Sequence, residues 1–254
     1  MSNLTNAVQS ILDKQAEYQT AEDYYDGTVD EIFASPAVKR ALHKTGDQFR
    51  VNFAATPVNA VGNRLEITGV SGISDEANKV IDNVWTTNEL ELEVNNIHNR
   101  ALVYGDAYLF VWAYDGELEM YYNSPKTTVV IYDTENPRLP AYGAKMWTIT
   151  NDKNEDRVRV NLYYADRVEK YISIGERLPM SVKDDTFEPF VDEDTDENGV
   201  MENPFGAIPI FHFRTNRPFG KPEHFAAYGP QDMINKILIT QMASIEQYGF
   251  PQRY

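Results

Sequence analysis

Cysteine is absent from the 254 residues. That excludes a disulfide scaffold, a thiolate zinc site and a cysteine nucleophile, and it fits a reducing compartment. Basic charge is scarce: 23 Lys and Arg stand against 39 Asp and Glu, for a net charge of −16. Such a balance argues against wrapping nucleic acid by neutralising its phosphates. No apolar run approaches the roughly 20 residues of a membrane span. Met1-Ser2-Asn3-Leu4-Thr5 lacks the basic region and apolar core of a signal peptide. The expectation is a soluble protein without internal repeats. The four histidines, His43, His98, His212 and His224, are far apart and share no metal spacing. His98 sits among apolar helix positions and reads as a hydrogen-bonded interior residue rather than a general base. There is no Gly-x-Ser-x-Gly elbow, phosphate-binding glycine loop or His-Glu-x-x-His. Glu89, Glu91, Glu93, Glu117 and Glu119 read as solvated faces, not acid–base pairs. No catalytic constellation emerges, so neither an enzyme nor a cofactor is expected.

What is present is an ordered series of helix and strand signals. Ser2 can cap a first helix carrying Leu4, Val8, Ile11 and Leu12, with Gly27 as its left-handed stop. Pro57 opens a short helix. Arg64 to Val70 alternates apolar and polar residues, which predicts a half-buried strand. Ser74 starts a helix with Ala77, Val80, Ile81, Val84 and Trp85 on one face. Another runs from about Asn88 to Tyr104-Gly105 through Leu90, Val94, Ile97, Ala101 and Leu102. The period then changes to β: Ala107 to Ala113, an Asp115-Gly116 turn, and Leu118 to Tyr122. Thr128–Tyr132, Ala141–Thr150, Val158–Tyr164, Val168–Ile174 and Ile208–Phe213 follow. The sixteen tyrosines and twelve phenylalanines suit extended interaction surfaces, though most fit an ordinary sheet core.

Two C-terminal features stand out. The stretch 181–202 holds nine acids and one base and reads as a loop or hairpin tip, whereas 203–254 holds three acids and five bases. Within the acidic stretch, Asp194, Asp196, Asn198 and Gly199, with Glu202, copy the first half of a calcium loop. Its twelfth position is Phe205 where a bidentate Glu belongs, so no metal site is favoured and a solvated turn competes. From Gln231 to about Gly249 a helix carries Met233, Ile234, Ile237, Leu238, Met242, Ala243 and Ile245, predicting apolar residues over more than half its circumference. It is either buried in its own domain or packed against copies of itself or a missing C-terminal half; the second reading is preferred.

Taken together the segments resemble the N-terminal half of a tailed-bacteriophage portal protein, the head-to-tail connector. The resemblance rests on order and spacing. It runs through Tyr24-Tyr25-Asp26-Gly27, Asn63 to Gly69, Trp85-x-x-Asn88 and His98 to Leu109. It continues through Ser124-Pro125, Tyr132-Asp133, Asn203-Pro204-Phe205-Gly206-x-Ile208-Pro209 and Gln231 to Lys236, on to Phe250-Pro251-Gln252-Arg253. The expected fold class is α+β: N-terminal helices, a wing-like antiparallel β meander and a long apolar stem-like helix. By resemblance, 1–228 is the wing-like domain and 229–254 the stem helix leading into a clip. A full portal would continue through the clip, a second stem helix, a channel loop and a crown, so the expectation is a portal fold with its C-terminal part missing, in a truncated chain or a half-length relative.

The resemblance implies a structural subunit of a ring, commonly of twelve copies, at one vertex of the capsid. The ring conducts double-stranded DNA during packaging and ejection. The implied partners are the chain itself, that DNA, the terminase large subunit, a head–tail adaptor and the major capsid or scaffolding protein, with no membrane. The implied location is the virion portal vertex, after assembly in the host cytoplasm. Met233, Ile234, Ile237, Leu238, Met242 and Ile245 are the expected subunit interface. Lys236, Thr240, Gln247 and Arg253 are the polar candidates for the channel or a subunit contact. The alternative is a monomeric α+β binding module whose acidic loop at 192–202 chelates calcium or docks a basic partner. A hydrolase using unrecognised carboxylates ranks last.

Overall fold

A computed structural model describes residues 2–29, 51–150, 154–176, 178, 182–215 and 220–249, apart from the side chains of 243 and 246–249. The chain begins as predicted. Helix α1 (Asn3–Asp26) is capped by the Ser2 hydroxyl, which accepts from the Thr5 N–H at 3.2 Å, and stops at Gly27 in the left-handed region. Helices α2 (Ala55–Gly62), α3 (Asp75–Thr87) and α4 (Leu90–Tyr104) follow; Ser74 caps α3, and Gly105 at φ +86° ends α4.

The strands are β1 (Asp106–Tyr114), β2 (Glu117–Asn123), β3 (Thr128–Tyr132), β4 (Pro140–Thr150), β5 (Asp156–Tyr163), β6 (Arg167–Ser173), β7 (Phe187–Pro189), β8 (Val200–Glu202) and β9 (Ile210–Arg214). They form two antiparallel sheets rather than one meander. One has the order β2-β1-β9. The other runs β3-β4-β5-β6-β7, with β8 pairing the remaining half of the same β6 edge. The last helix, α5 (Tyr228–Gly249), begins three residues earlier than predicted.

The architecture is α+β, held by packing on both faces of the larger sheet. Leu4, Ala7, Val8 and Ile11 of α1 cover Tyr142, Ala144, Met146, Val160 and Leu162. Burial of each large aliphatic side chain here is worth about 1.5–3 kcal/mol. On the opposite face, Tyr108, Phe110 and Ile210 of the smaller sheet pack on Val130, Tyr163 and Val168. The far end of α1 is held by Tyr18 and Ala21 against Val58, Leu102, Val103 and Tyr104. The outer edge of β2 is closed by side chains: Asn88 bonds Leu118 O and Met120 N, and Glu93 accepts from Tyr122 N. Side chains thereby satisfy polar groups on this strand edge.

Three expectations need correction. Arg64 to Val70 is not a strand: it pairs with no described strand, and Leu65, Ile67 and Val70 are exposed. Alternation specifies a face to bury but cannot supply the partner that buries it. The stretch 181–202 is more than a loop, since a 3₁₀ turn (Asp184–Thr186), β7 and β8 lie within it. And α5 is not a long apolar helix. Gln231, Asp232, Asn235, Lys236, Thr240, Gln241 and Ser244 recur at every turn among its apolar residues, and Met233, Ile237 and Ile245 are 65%, 50% and 68% exposed. Counting apolar residues around the circumference missed this interleaving.

Candidate assembly site at the base of the C-terminal helix

The return from β9 to α5 crosses the start of β1, and two glycines permit the crossing. A Cβ on Gly105 would lie 1.8 Å from Gly220 O, and one on Gly220 (φ +55°) would lie 2.1 Å from Asp106 Oδ1. No other residue fits either position. Asp106, 2% exposed, is the centre of the crossing. Its Oδ2 accepts from the Tyr18 hydroxyl of α1 at 2.8 Å, with Lys14 Nζ 3.5 Å away. Its Oδ1 faces His212 Nε2 of β9 at 2.8 Å, and His212 Nδ1 meets the Tyr132 hydroxyl of β3 at 3.0 Å. The Asp106 carboxylate oxygen accepts from Nε2–H, and the Tyr132 hydroxyl pairs with Nδ1. Burial and the Asp106 charge push the Tyr18 and Tyr108 hydroxyls far above the usual tyrosine range, so both stay protonated. Asp106 thus ties α1 to the smaller sheet, and His212 relays the link to β3 of the larger one.

From this crossing the chain enters α5, whose first turns are clamped to the end of α1. Tyr24 and Tyr228 stack with ring centroids 3.9 Å apart and planes 4° from parallel. The Tyr24 hydroxyl donates to Asp232 at 2.8 Å, and burial raises its pKa. The Gln231 amide brackets the chain before α2, accepting from Phe53 N at 2.7 Å and donating to Val51 O, while Asn235 accepts from Val51 N. His224, fully buried, donates Nε2–H to Ala21 O at 2.9 Å. Its desolvation lowers the pKa and keeps the ring neutral. Glu223 N donates to Leu102 O, joining the same corner to α4.

The predicted interface residues divide between two sides of α5. Ile234, Leu238 and Met242 are half-buried beside Gln231 and Ile239, which are buried; Met233, Ile237 and Ile245 are exposed. Lys236 and Thr240 are exposed as well. The Gln247 side chain and Arg253 lie outside the described residues, as does His43. His98 is half-buried, and its Nδ1 is buried without a hydrogen-bond partner among the described residues.

The acidic stretch is tied down by its own carboxylates. Asp196 Oδ1 accepts from Asn198 N and Val200 N, both at 2.9 Å, which lowers its pKa. Asp192 binds Lys170 at 2.7 Å. Gly199 at φ +74° packs against Lys170 O and Phe190 O. Asp194, Asn198 and Glu202 are exposed, and among the described residues no three His, Asp or Glu converge as a metal site.

The family model described as phage portal protein, SPP1 Gp6-like, matches residues 10–254. The chain belongs to this family. No curated protein matches it. For this portal-family chain the paired motifs take on geometric sense: Tyr24 meets Asp232 across the α1–α5 clamp, and Gly105-Asp106 forms the crossing beneath it. Sequence reasoning missed Asp106 and His212 as partners. Among the described residues no helix is long and apolar enough to cross a membrane.

Proposed function

We propose that the chain is a structural, non-catalytic subunit of a ring-shaped portal at the capsid vertex. The ring conducts double-stranded DNA during packaging and ejection and docks the terminase large subunit, a head–tail adaptor and capsid or scaffolding protein. Residues 1–228 serve as the wing-like body and 229–254 as the stem helix leading towards a clip. Membership of the portal family supports the general role. The observation that carries the stem assignment is the asymmetry of α5. Its base is clamped by Tyr24, Val51 and Phe53, yet Met233, Ile237 and Ile245 face solvent.

Exposed apolar residues on an anchored helix suit a heterologous contact, in which each copy offers one face to the next and closure makes a ring. Ile234, Leu238 and Met242 then support the helix from within, while Lys236 and Thr240, on the exposed side, are candidates for the channel wall or a polar subunit contact. Gln247 and Arg253 extend that set. The net charge of −16 keeps passing DNA mobile, since strong attraction would bind phosphates.

The test is the native mass by light scattering behind a sizing column, followed by imaging of any large particle. A ring with a central hole is expected. Ile237→Asp, which buries a charge in the proposed contact, should reduce the particle to monomers while circular dichroism of the β-rich body stays unchanged. Unaltered particle mass in that variant would remove the stem assignment.

A further inference from the structure

One face of the larger sheet passes out from under the smaller sheet along β4. A Cβ on Gly143 would lie 2.8 Å from the Ile210 side chain, so the two sheets touch there. Two residues on, Lys145 is half-buried, with Nζ 5.6 Å from the Phe110 ring centroid, 5.3 Å from Tyr121 and 5.8 Å from Trp147. Trp147 is the cross-strand partner of Arg159, and Lys145 that of Asn161. The Arg159 guanidinium lies 5.3 Å from the Trp147 centroid and 3.4 Å from that of Phe190.

The cations of this ledge meet aromatic faces rather than carboxylates, and polar atoms beside them are left unpaired. Among the described residues Lys145 has no carboxylate within ion-pair distance, in a chain with 39 acidic side chains. The nearby Asp192 forms its ion pair with Lys170, and its charge offsets only part of the desolvation of Arg159. Arg159 Nε and Asn161 Oδ1 are both buried without a hydrogen-bond partner among the described residues, and Asn161 is 8% exposed. Buried polar atoms left unpaired cost free energy that an incoming group can recover. Desolvation lowers the pKa of both Lys145 and Arg159, an effect that an opposing anion would offset.

We propose that Lys145, Arg159 and Asn161, framed by Trp147 and Tyr121, form a docking site for an acidic segment of a partner protein, one of whose carboxylates lodges at the cations. Tryptophan, tyrosine and arginine are the residue types that dominate binding hot spots. A protein carboxylate is favoured over nucleic acid because a chain of net charge −16 repels a polyphosphate over a Debye length, whereas one carboxylate on a mixed surface is opposed little. The apolar neighbours of that carboxylate cover Trp147.

The experiment titrates the full chain with a short end-blocked peptide that carries one glutamate between leucines, followed by tryptophan fluorescence. Carbodiimide coupling of the same peptide then maps the attached lysine by mass spectrometry. Saturable binding is expected, with coupling concentrated at Lys145, at least tenfold loss in Lys145→Gln and in Arg159→Gln, and retention in Lys145→Arg. Should Lys145→Gln fail to fold, coupling in the wild type and binding by Lys145→Arg still decide. No saturable change, equal affinity in a folded Lys145→Gln, or coupling spread over the lysines by exposure would overturn the proposal. Inorganic phosphate competing as well as the peptide would reduce the ledge to an anion site. A single-stranded oligonucleotide that binds more tightly and displaces the peptide would assign it to nucleic acid.

Discussion

Replacing Asp106 by alanine tests whether a single buried carboxylate joins the first helix to the smaller sheet and, through His212, to the larger one. The substitution leaves the Tyr18 hydroxyl and the His212 Nε2–H facing a space with no acceptor. Each buried donor left unpaired costs about 1–3 kcal/mol, so the expected loss is about 2–6 kcal/mol. Lys14 adds little, because its side chain is 39% exposed. A domain of this kind has only about 5–15 kcal/mol of stability in total. Asp106→Asn should cost less, since the amide keeps one acceptor and the Tyr18 hydroxyl can turn to accept from its NH2 group. Tyr18→Phe should cost about 1 kcal/mol in the wild type but be neutral or stabilising in the Asp106→Ala background, where it removes an orphaned donor. Urea unfolding followed by circular dichroism measures the four variants against the wild type. A loss below about 0.5 kcal/mol for Asp106→Ala, or an asparagine variant worse than the alanine, would refute the reasoning.

His224 makes stability depend on pH. Burial holds its folded pKa below the ordinary 6.5, so the unfolded chain binds more protons in the window below 6.5. The contribution is therefore intact above that pH and declines as pH falls. Between pH 7.5 and 5.5 the unfolding free energy should fall on acidification, and His224→Gln should flatten this slope; an identical slope in the variant counts against the assignment. The lowered carboxyl groups of Glu22 and Asp192 act in a separate window, losing their contribution only as pH falls below the ordinary carboxylate range. At Gly199, alanine would need φ +74° and would press its Cβ to within 2.7 Å of Lys170 O. A cost of about 1–3 kcal/mol is expected, with faster hydrogen exchange at the Lys170 amide, which donates to Gly199 O. Unchanged exchange there would show that the acidic turn is not anchored to β6.

Legibility in this sequence follows the range of the interactions involved. Ser2, Gly27, Ser74 and Gly105 mark helix ends correctly because a cap is decided within a few residues. The β1–β2 turn is legible for the same reason, with Asp115 at φ +50° and Gly116 at φ +85° supplying the two left-handed positions a tight hairpin needs. The partition of strands into two sheets was not legible, because nothing local tells β9 to pair with β1, nor Leu65, Ile67 and Val70 to remain exposed. The long-range polar pairs were hidden most completely. Tyr24 and Asp232 are 208 residues apart, and Asp106 and His212 are 106 apart; each residue alone resembles an ordinary surface or core residue. The helix at the end misled for a related reason. Apolar residues over more than half its circumference suggested a helix with neighbours on several sides, but the pattern could not reveal that Gln231, Asp232 and Asn235 are spent on hydrogen bonds to the body. Those bonds fix which side of the helix turns inward, and so leave Met233, Ile237 and Ile245 as the side presented outward. The polar residues that break the apolar pattern are thus the ones that orient the helix.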